Sequence, residues 1–170
     1  PAVPYYIDRQ TGSLGQGVSC AVGMAKAAKY MHKGNVRVYT LLGDGEIEEG
    51  EVWEAFLFAA KYKLDNLCVI IDLNGLQIDG PTSEVMPTDP VDAKMRDFGF
   101  RVISIDGHDL DQMEQAFTFF HEQTDAPTAI LMYTTKGKGV SSIFLFILAV
   151  LLTLTLSNAG LLLKSTLLDL

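Results

Sequence analysis

Four short runs of this sequence are apolar along nearly their whole length, and they constrain the fold more than any other feature. Stretches in which apolar residues recur every three or four positions, as on one face of a helix, separate these runs. Strands that alternate with helices and are apolar on both faces are typical of a parallel sheet covered on both sides. We therefore predict an α/β fold: an open, mostly parallel sheet with helices on both faces. The predicted strands are VRVYTLL (36–42), LCVIIDLN (67–74), FRVISID (100–106) and PTAILMYTT (127–135).

Helical periodicity predicts the elements between these strands. The first helix, at 17–31, follows the glycine-rich turn TGSLGQG, and the second, at 49–63, opens with acidic residues, which a helix amino terminus favours. Two more helices are predicted at 91–98 and 110–123. No internal repeat interrupts the series, so we expect one domain.

A change in hydropathy near Ser142 divides the chain. We predict a folded domain over residues 1–142 and an apolar tail over 143–170, in which 143–163 is uncharged and forms a helix. Such a helix would be about 31 Å long, enough to span a bilayer, and Lys136 and Lys138 precede it. A membrane span, a buried or partner-covered helix, and a segment unrelated to the fold remain alternatives.

Charge and cysteine content narrow the class of partner. The formal net charge is −8, from 21 acidic and 13 basic residues, which argues against binding to nucleic acid through its phosphates. Cys20 and Cys68 lie in apolar stretches without a disulfide or metal-binding pattern, so we interpret both as core residues of a protein from a reducing compartment, with a cytoplasmic location expected.

Two polar residues follow neighbouring strands of the predicted sheet. Asp44 comes directly after the first strand and Asn74 after the second, with one helix between them. Parallel strands end at the same edge of a sheet, where open α/β proteins bind ligands, so these side chains should lie close together. A carboxylate, an amide oxygen and a carbonyl from the bend at Gly75 would form part of the oxygen shell that Mg²⁺ prefers.

The charges around Asp44 indicate what the metal would do. Residues 38–60 contain six acidic residues and no Lys or Arg, so a phosphate bound at the small Gly43 and Gly45 would be repelled without a cation. No GxxxxGK[ST] motif supplies a lysine, and the spacing of GSLGQG is not that of a dinucleotide fingerprint. The alternative for Asp44 is an ordinary Asp-Gly turn.

Several motifs together resemble the transketolases, especially the bacterial type split into two subunits. GDG followed by Asn is similar to the thiamine-diphosphate motif, and the resemblance covers roughly residues 11–141. It implies the thiamine-diphosphate-binding fold. The sequence segments that carry the resemblance are TGSLGQG, LLGDGEIEEGEVWEA, YKLDNL, NGLQIDGPT and TTKGKGVS.

The resemblance also implies roles for individual residues. Metal ligands would be the side chains of Asp44 and Asn74 and the carbonyl of Leu76, with Mg²⁺ or Ca²⁺ as the ion. Residues against the cofactor would be Gly12 and Leu14, the N–H of Gly45 at the diphosphate, and Ile78 on the thiazolium ring. Glu49 matches a carboxylate that links two active sites across a subunit interface, although a solvated helix start is its plainer interpretation.

The function implied is transfer of a two-carbon ketol unit from a ketose to an aldose phosphate, as in the pentose phosphate pathway, with thiamine diphosphate carrying the chemistry. In the family, a pyrimidine-binding domain or subunit completes the site, so we expect a dimer or heterotetramer with such a partner. Family segments with histidines upstream of TGSLGQG, and a WHG word after KGKGVS, have no counterpart here. We therefore expect this chain to be inactive alone. The alternative is a noncatalytic membrane-tethered or interaction module that retains the scaffold.

Other candidates have plainer interpretations. His108 in DGHD follows a strand, but no acid or nucleophile partner is evident in the sequence, so we expect a loop or capping role. Lys136 and Lys138 are interpreted as loop charges. The aromatic residues of the second helix favour a packing stripe or a subunit interface over a binding cage; they are Trp53, Phe56, Phe58 and Tyr62.

Overall fold

The computed structural model describes Arg9, residues 11–31 and residues 36–140. By its internal contacts the chain divides into one unit over residues 1–134 and a second over residues 135–170. Within the second unit only residues 135–140 are described. The predicted boundary at 142–143 and the apolar helix at 143–163 lie outside the described residues.

The predicted sheet is confirmed, and all four of its strands are parallel. They are β1 (Val38–Gly43), β2 (Leu67–Leu73), β5 (Arg101–Asp106) and β6 (Thr128–Tyr133), in the order β1-β2-β6-β5. A small antiparallel hairpin, β3 (Leu76–Gln77) with β4 (Gly80–Pro81), follows the end of β2.

Helices occupy the positions that periodicity predicts, to within three residues at each end. They are α1 (Gln16–Tyr30), α2 (Gly50–Lys61), α4 (Val91–Asp97) and α5 (Leu110–Glu122), with a short extra helix α3 (Thr82–Val85). A 3-10 turn, Glu46–Glu48, separates β1 from α2. The acidic segment EIEE (46–49) therefore forms a separate turn before α2.

Helices cover both faces of the sheet, but unequally. The larger core joins α1, α2 and α4 to one face, with Phe56 of α2 and Met95 of α4 fully buried in it. The smaller core joins α5 to the other face, where Phe120 packs with Cys68 and Ile130. Neighbouring β2 residues alternate between the two cores, as the pleat of a strand requires.

Two details differ from the expectations. Tyr39 and Leu41 of β1 are exposed, Leu41 by 65%, because in the described sheet β1 has β2 as its single neighbour. Cys20 is half-buried, and Cys68 alone of the two cysteines is a core residue, as its position on a central strand dictates. Burial raises the pKa of the Cys68 thiol to about 12.

Asp109 caps the amino end of α5 with its side chain, which accepts hydrogen bonds from the N–H groups of Asp111 and Gln112. His108 donates its backbone N–H to Oδ1 of Asp106 at 2.9 Å, which places it in a turn stabilised within its own loop. No helix among the described residues is long and apolar enough to cross a bilayer.

Candidate functional site

Parallel pairing brings the Asp44 and Asn74 loops to the same edge of the sheet. Gly43 at the end of β1 pairs with Asp72 of β2, and the N–H of Asp44 continues the ladder to the carbonyl of Asp72 at 3.1 Å. Asn74 follows the end of β2 directly. The two loops are therefore neighbours, as the strand–helix–strand order predicts.

The Asp44 carboxylate joins these two loops. Its side chain is buried, with 4% of the residue exposed. Oδ2 accepts the N–H of Gly75 at 2.5 Å, and Oδ1 accepts the N–H of Gly45 at 2.9 Å. Gly75 has a φ of +74°, a conformation that glycine adopts without strain and that turns its N–H toward Asp44. Asp44 thus closes a contact across 31 residues of sequence.

A second carboxylate orients the Asn74 amide. Nδ2 of Asn74 donates to Oδ2 of Asp72 at 2.8 Å, so the amide oxygen faces the other way, where it accepts the N–H of Leu76 at 3.1 Å. Oδ1 of Asp72 in turn accepts the hydroxyl of Thr134, at the end of β6. Three loops at one edge of the sheet thereby share one polar network.

Burial raises the pKa of the Asp44 carboxyl above its ordinary value, and the N–H donors of Gly75 and Gly45 partly oppose that shift. The nearby negative charge of Asp72 raises this pKa further. Neither Asp44 nor Asp72 forms an ion pair: the two ion pairs within the described residues are Lys29–Asp65 and Arg101–Asp125. A divalent cation would supply the positive charge that these carboxylates lack.

The donor set fits Mg²⁺ by its chemistry. The described residues contain no cluster of three or more His, Cys, Asp or Glu side chains able to hold a metal. The expected set is instead one carboxylate, one amide oxygen and one carbonyl, which leaves positions for water and phosphate oxygens, as Mg²⁺ prefers.

Gly45 and Gln77 fit a phosphate group. A Cβ on Gly45 would lie 2.8 Å from Cβ of Gln77, so the backbone here passes too close to Gln77 for a side chain. Nε2 of Gln77 is buried and has no hydrogen-bond partner among the described residues. The N–H of Gly45 donates to Asp44, so a diphosphate would have to share or take over this donor.

The TGSLGQG turn contacts the acidic turn that follows β1. The N–H of Gly15 donates to Oε1 of Glu46 at 3.0 Å, and a Cβ on Gly15 would lie 3.3 Å from Cβ of Glu49. Gly12 and Leu14 lie in this turn, just before α1, and Leu14 is half exposed. Glu49 is exposed at the start of α2 and makes no capping hydrogen bond with its side chain.

Ile78 lies at the tip of the β3–β4 hairpin and is 94% exposed. An isoleucine so exposed makes little contact with the rest of the described chain. The structure thus brings Asp44, Asn74 and Leu76 together, and Gly45 lies beside them. The roles of all these residues as ligands stay predictions.

Sequence reasoning missed Asp72, Thr134 and Gln77. The spacing Asp-x-Asn at the end of β2 is a signal for Asp72, since alternate strand residues share a face. Thr134 follows β6, which is separated from β2 by more than fifty residues, and only the strand order shows that the two are neighbours.

Comparison with known proteins gives a consistent result. Residues 4–143 match the family model described as transketolase, thiamine diphosphate binding domain. A 6-deoxy-6-sulfo-D-fructose transketolase subunit from Clostridium sp. (strain MSTE9) is 48% identical over 135 residues, 79% of this chain and 49% of that protein. Human transketolase is 44% identical over 138 residues, 81% of this chain and 22% of that protein.

Solved structures agree. A crystal structure of transketolase from Campylobacter jejuni has a TM-score of 0.68 and 36% identity, covering 76% of this chain and 21% of that one. A transketolase mutant from Pichia stipitis gives a TM-score of 0.70 with 31% identity, again over 76% of this chain and 21% of that one. This chain spans about half or less of the length of these relatives. It belongs to the transketolase family, within which it matches the thiamine diphosphate binding domain.

Proposed function

We propose that this chain binds the diphosphate end of thiamine diphosphate through Mg²⁺ (or Ca²⁺) and forms a transketolase active site together with a pyrimidine-binding domain or subunit. One observation carries the proposal: the buried Asp44 carboxylate accepts the N–H of Gly75 at 2.5 Å, which joins the GDG turn to the Asn74–Leu76 turn. The family match supports thiamine diphosphate as the cofactor.

In this proposal Asp44, Asn74 and the carbonyl of Leu76 hold the metal ion. The ion neutralises Asp44 and Asp72 and gives an incoming diphosphate the positive charge that residues 38–60 lack. Oδ2 of Asp72 accepts a hydrogen bond from Nδ2 of Asn74. This contact keeps the amide oxygen of Asn74 turned away from the Asp72 carboxylate. Such support around a metal ligand typically changes metal affinity 10–100-fold.

The cofactor's phosphates would lie at Gly45, which has no side chain of its own and lies close to Gln77. Gln77 adds a buried amide donor beside Gly45. Gly12 and Leu14 would lie against the cofactor, and the exposed Ile78 would pack on the thiazolium ring. Binding would then cover two apolar side chains, Leu14 and Ile78, that are otherwise exposed.

When bound, thiamine diphosphate supplies an electron sink for breaking and forming the bond next to a ketose carbonyl. This chain's own residues would bind and orient the cofactor. Glu49 is exposed at the start of α2, and in this proposal it would meet the partner and link two sites across the interface. The substrates proposed are ketose and aldose phosphates.

A partner is proposed because the pyrimidine-binding half of the family's site lies in another domain. The relative from Clostridium is itself named as a subunit. We expect the complete assembly to be a dimer or a heterotetramer.

Titration calorimetry tests cofactor binding directly. Thiamine diphosphate added to the full chain in Mg²⁺ should release heat with a saturable isotherm. EDTA should abolish this signal, because the phosphates would then face the carboxylates of Asp44 and Asp72 without a cation. Asp44→Ala should lose the signal, and Asp92→Asn, an exposed acidic residue on α4, should retain it. Metal-independent binding, or equal binding by Asp44→Ala, would contradict the proposed site.

A turnover assay tests the partner requirement. The chain, cofactor and Mg²⁺ should give no ketol transfer until a pyrimidine-binding transketolase subunit is added. A pentulose phosphate and 6-deoxy-6-sulfo-D-fructose are suitable donors to compare, since the latter appears in the name of a 48% identical relative. Turnover by the chain alone would refute the requirement.

A further inference from the structure

The outward side of helix α1 differs from that of an ordinary surface helix. The buried residues of α1 pack against the larger core, so the opposite side of the helix should face water and carry charge. Six residues at three- and four-residue spacing lie on this opposite side, and we call them the α1 outer face. None of them is charged: they are Cys20, Gly23, Met24, Ala27, Tyr30 and the C-cap Met31.

Both charged residues of α1 turn away from this face. Nζ of Lys26 lies over the ring of Tyr62, next to the end of α2, and Nζ of Lys29 pairs with Asp65 at 2.9 Å. Both lysines are half-buried. Helix α1 contains no acidic residue at all, although the chain has 21. The α1 outer face is therefore uncharged in a protein that is acidic elsewhere.

Large apolar side chains on this face are exposed. The exposed fraction is 43% for Met24, 60% for Tyr30 and 66% for Met31. Phe58 of α2 extends the surface: Nζ of Lys26 lies near the rings of both Tyr30 and Phe58, so these two rings are neighbours, and Phe58 is also exposed. Contiguous exposed apolar surface marks interaction sites, and interface cores are rich in Met and Tyr and poor in charge.

The shape of the face suits another helix. Gly23 and Ala27 lie one turn apart along its middle, between the larger Met24 and Tyr30. A Cβ on Gly23 would have no atom within 4 Å, so the surface there is open. The distance at which two helices pack depends on the side chains at the contact, and small residues in the middle of the face permit a close approach.

Charge favours a second copy of this chain as the occupant. Two copies with a formal net charge of −8 each repel one another, and they approach most easily at a face without acidic residues. A basic partner would instead be attracted to acidic surfaces such as that of α5, where Asp111, Glu114 and Glu122 are exposed.

We propose that the α1 outer face is a self-association surface, on which the α1 helices of two copies pack against each other across a two-fold axis. In such an interface the same patch serves both copies, and a residue near the axis meets its own counterpart. The proposal concerns the chain itself and needs neither a cofactor nor a pyrimidine-binding partner.

Sedimentation equilibrium of the full chain over a range of concentrations tests self-association. We expect a monomer–dimer equilibrium that Ala27→Glu weakens at least tenfold, because two carboxylates would then meet in the interface. Gln115→Glu adds the same charge at an exposed position of α5 and should leave the dimer unchanged. A chain that stays monomeric, or a dimer that Ala27→Glu does not weaken, would overturn the proposal.

Disulfide cross-linking locates the contact without adding a charge. In a Cys20→Ala background, Ala27→Cys should form a covalent dimer when copper phenanthroline and dioxygen oxidise the two facing thiols. Cys68 is fully buried and does not compete. Asp92→Cys, exposed on α4, is the matched control and should give at least fivefold less covalent dimer. Equal yields from the two positions would overturn the proposal.

Two further measurements separate this proposal from the proposed function. Failure of the unmodified chain to bind thiamine diphosphate would contradict the proposed function, whereas its dimer should persist. Sedimentation with a pyrimidine-binding transketolase subunit tests the other occupant of the face. If Ala27→Glu weakens association with that subunit while the unmodified chain alone is monomeric, the face belongs to that partner and the proposed self-association is wrong.

Discussion

Two Asp-Gly pairs follow parallel strands of the same sheet, and the chain uses them differently. Asp44-Gly45 follows β1 and Asp106-Gly107 lies at the end of β5, three strands away. Asp44 is buried and binds the N–H of Gly75 from another loop, whereas Asp106 is exposed and binds the N–H of His108 in its own turn. The dipeptide alone therefore indicates only a turn.

The neighbouring strand makes the difference. Beside Asp44, the end of β2 supplies Asn74 and Gly75, with Asp72 behind them. Beside Asp106, the end of β6 supplies Tyr133 and Thr134, and Thr134 directs its hydroxyl to Asp72. Polar groups thus converge on the β1–β2 side of the edge, while the β5 side serves to start a helix.

The largest contrast should appear in cofactor binding. Asp44→Ala should weaken binding of thiamine diphosphate in Mg²⁺ by at least 100-fold, because it removes the one carboxylate among the proposed ligands. Asp106→Ala should change it less than twofold, since among the described residues that carboxylate accepts a hydrogen bond only from the N–H of His108, in its own turn. Calorimetry on both variants measures this difference, and similar losses in the two would remove the distinction between the turns.

The two glycines should separate stability from binding. A Cβ on Gly107 would lie 2.5 Å from Cγ2 of Thr134 and 3.1 Å from Cβ of Met132, so Gly107→Ala should destabilise the chain by about 1–3 kcal/mol. In Gly45→Ala the new Cβ would lie 2.8 Å from Cβ of Gln77. This variant should therefore lose cofactor affinity in addition to stability. Urea unfolding combined with calorimetry tests the pair. Wild-type cofactor affinity in Gly45→Ala would argue against a phosphate at this position.

Asp72→Asn should have a smaller effect on the metal. An amide at this position can still hydrogen-bond to Asn74, but the negative charge is lost. The Asn74 side chain could then flip and exchange the positions of its amide oxygen and nitrogen. We therefore expect about tenfold weaker metal affinity. Titrating Mn²⁺ by its electron paramagnetic resonance in the presence of cofactor measures metal affinity without turnover. Thr134→Val, which removes the hydroxyl donor but keeps the shape, should shift the affinity in the same direction by less.

The smallest effect concerns the cap of α5. Hydrogen bonds from Gln112 hold the pKa of Asp109 below its ordinary value, so its contribution to stability is present above the unfolded-state pKa and is lost as the pH falls through the folded-state pKa. Asp109→Ala should lower the melting temperature by about a few degrees at neutral pH. The difference from wild type should shrink in acid, and cofactor binding should be unaffected. If Asp109→Ala still lowers the melting temperature by the same amount in strong acid, the charge of Asp109 is not the source of the stabilisation.

The four strands of the sheet and its longer helices were predictable, because each of these helices carries its own periodicity and each strand is a nearly continuous apolar run. Helix α1 begins and ends within one residue of its predicted bounds, and the parallel pairing follows from strands apolar on both faces. The exposure of Tyr39 and Leu41 was not predictable, since it depends on β1 being at the end of the described sheet. Strand order, which local patterns do not contain, decides such facts.

The same limit applies to the site. Asp44 and Asn74 could be paired from topology, because one helix connects consecutive strands. Thr134 and Gln77 could not, since their contributions depend on which strands are neighbours and on how a hairpin folds over Gly45.

A crystal structure of the chain with thiamine diphosphate and Mn²⁺, with the metal located by its anomalous scattering, tests the central claim most directly. We predict one metal ion bound by a carboxylate oxygen of Asp44, Oδ1 of Asn74 and the carbonyl oxygen of Leu76, with phosphate oxygens completing its shell. A metal ion bound elsewhere, with Asp44 still bonded only to Gly45 and Gly75, would contradict the account.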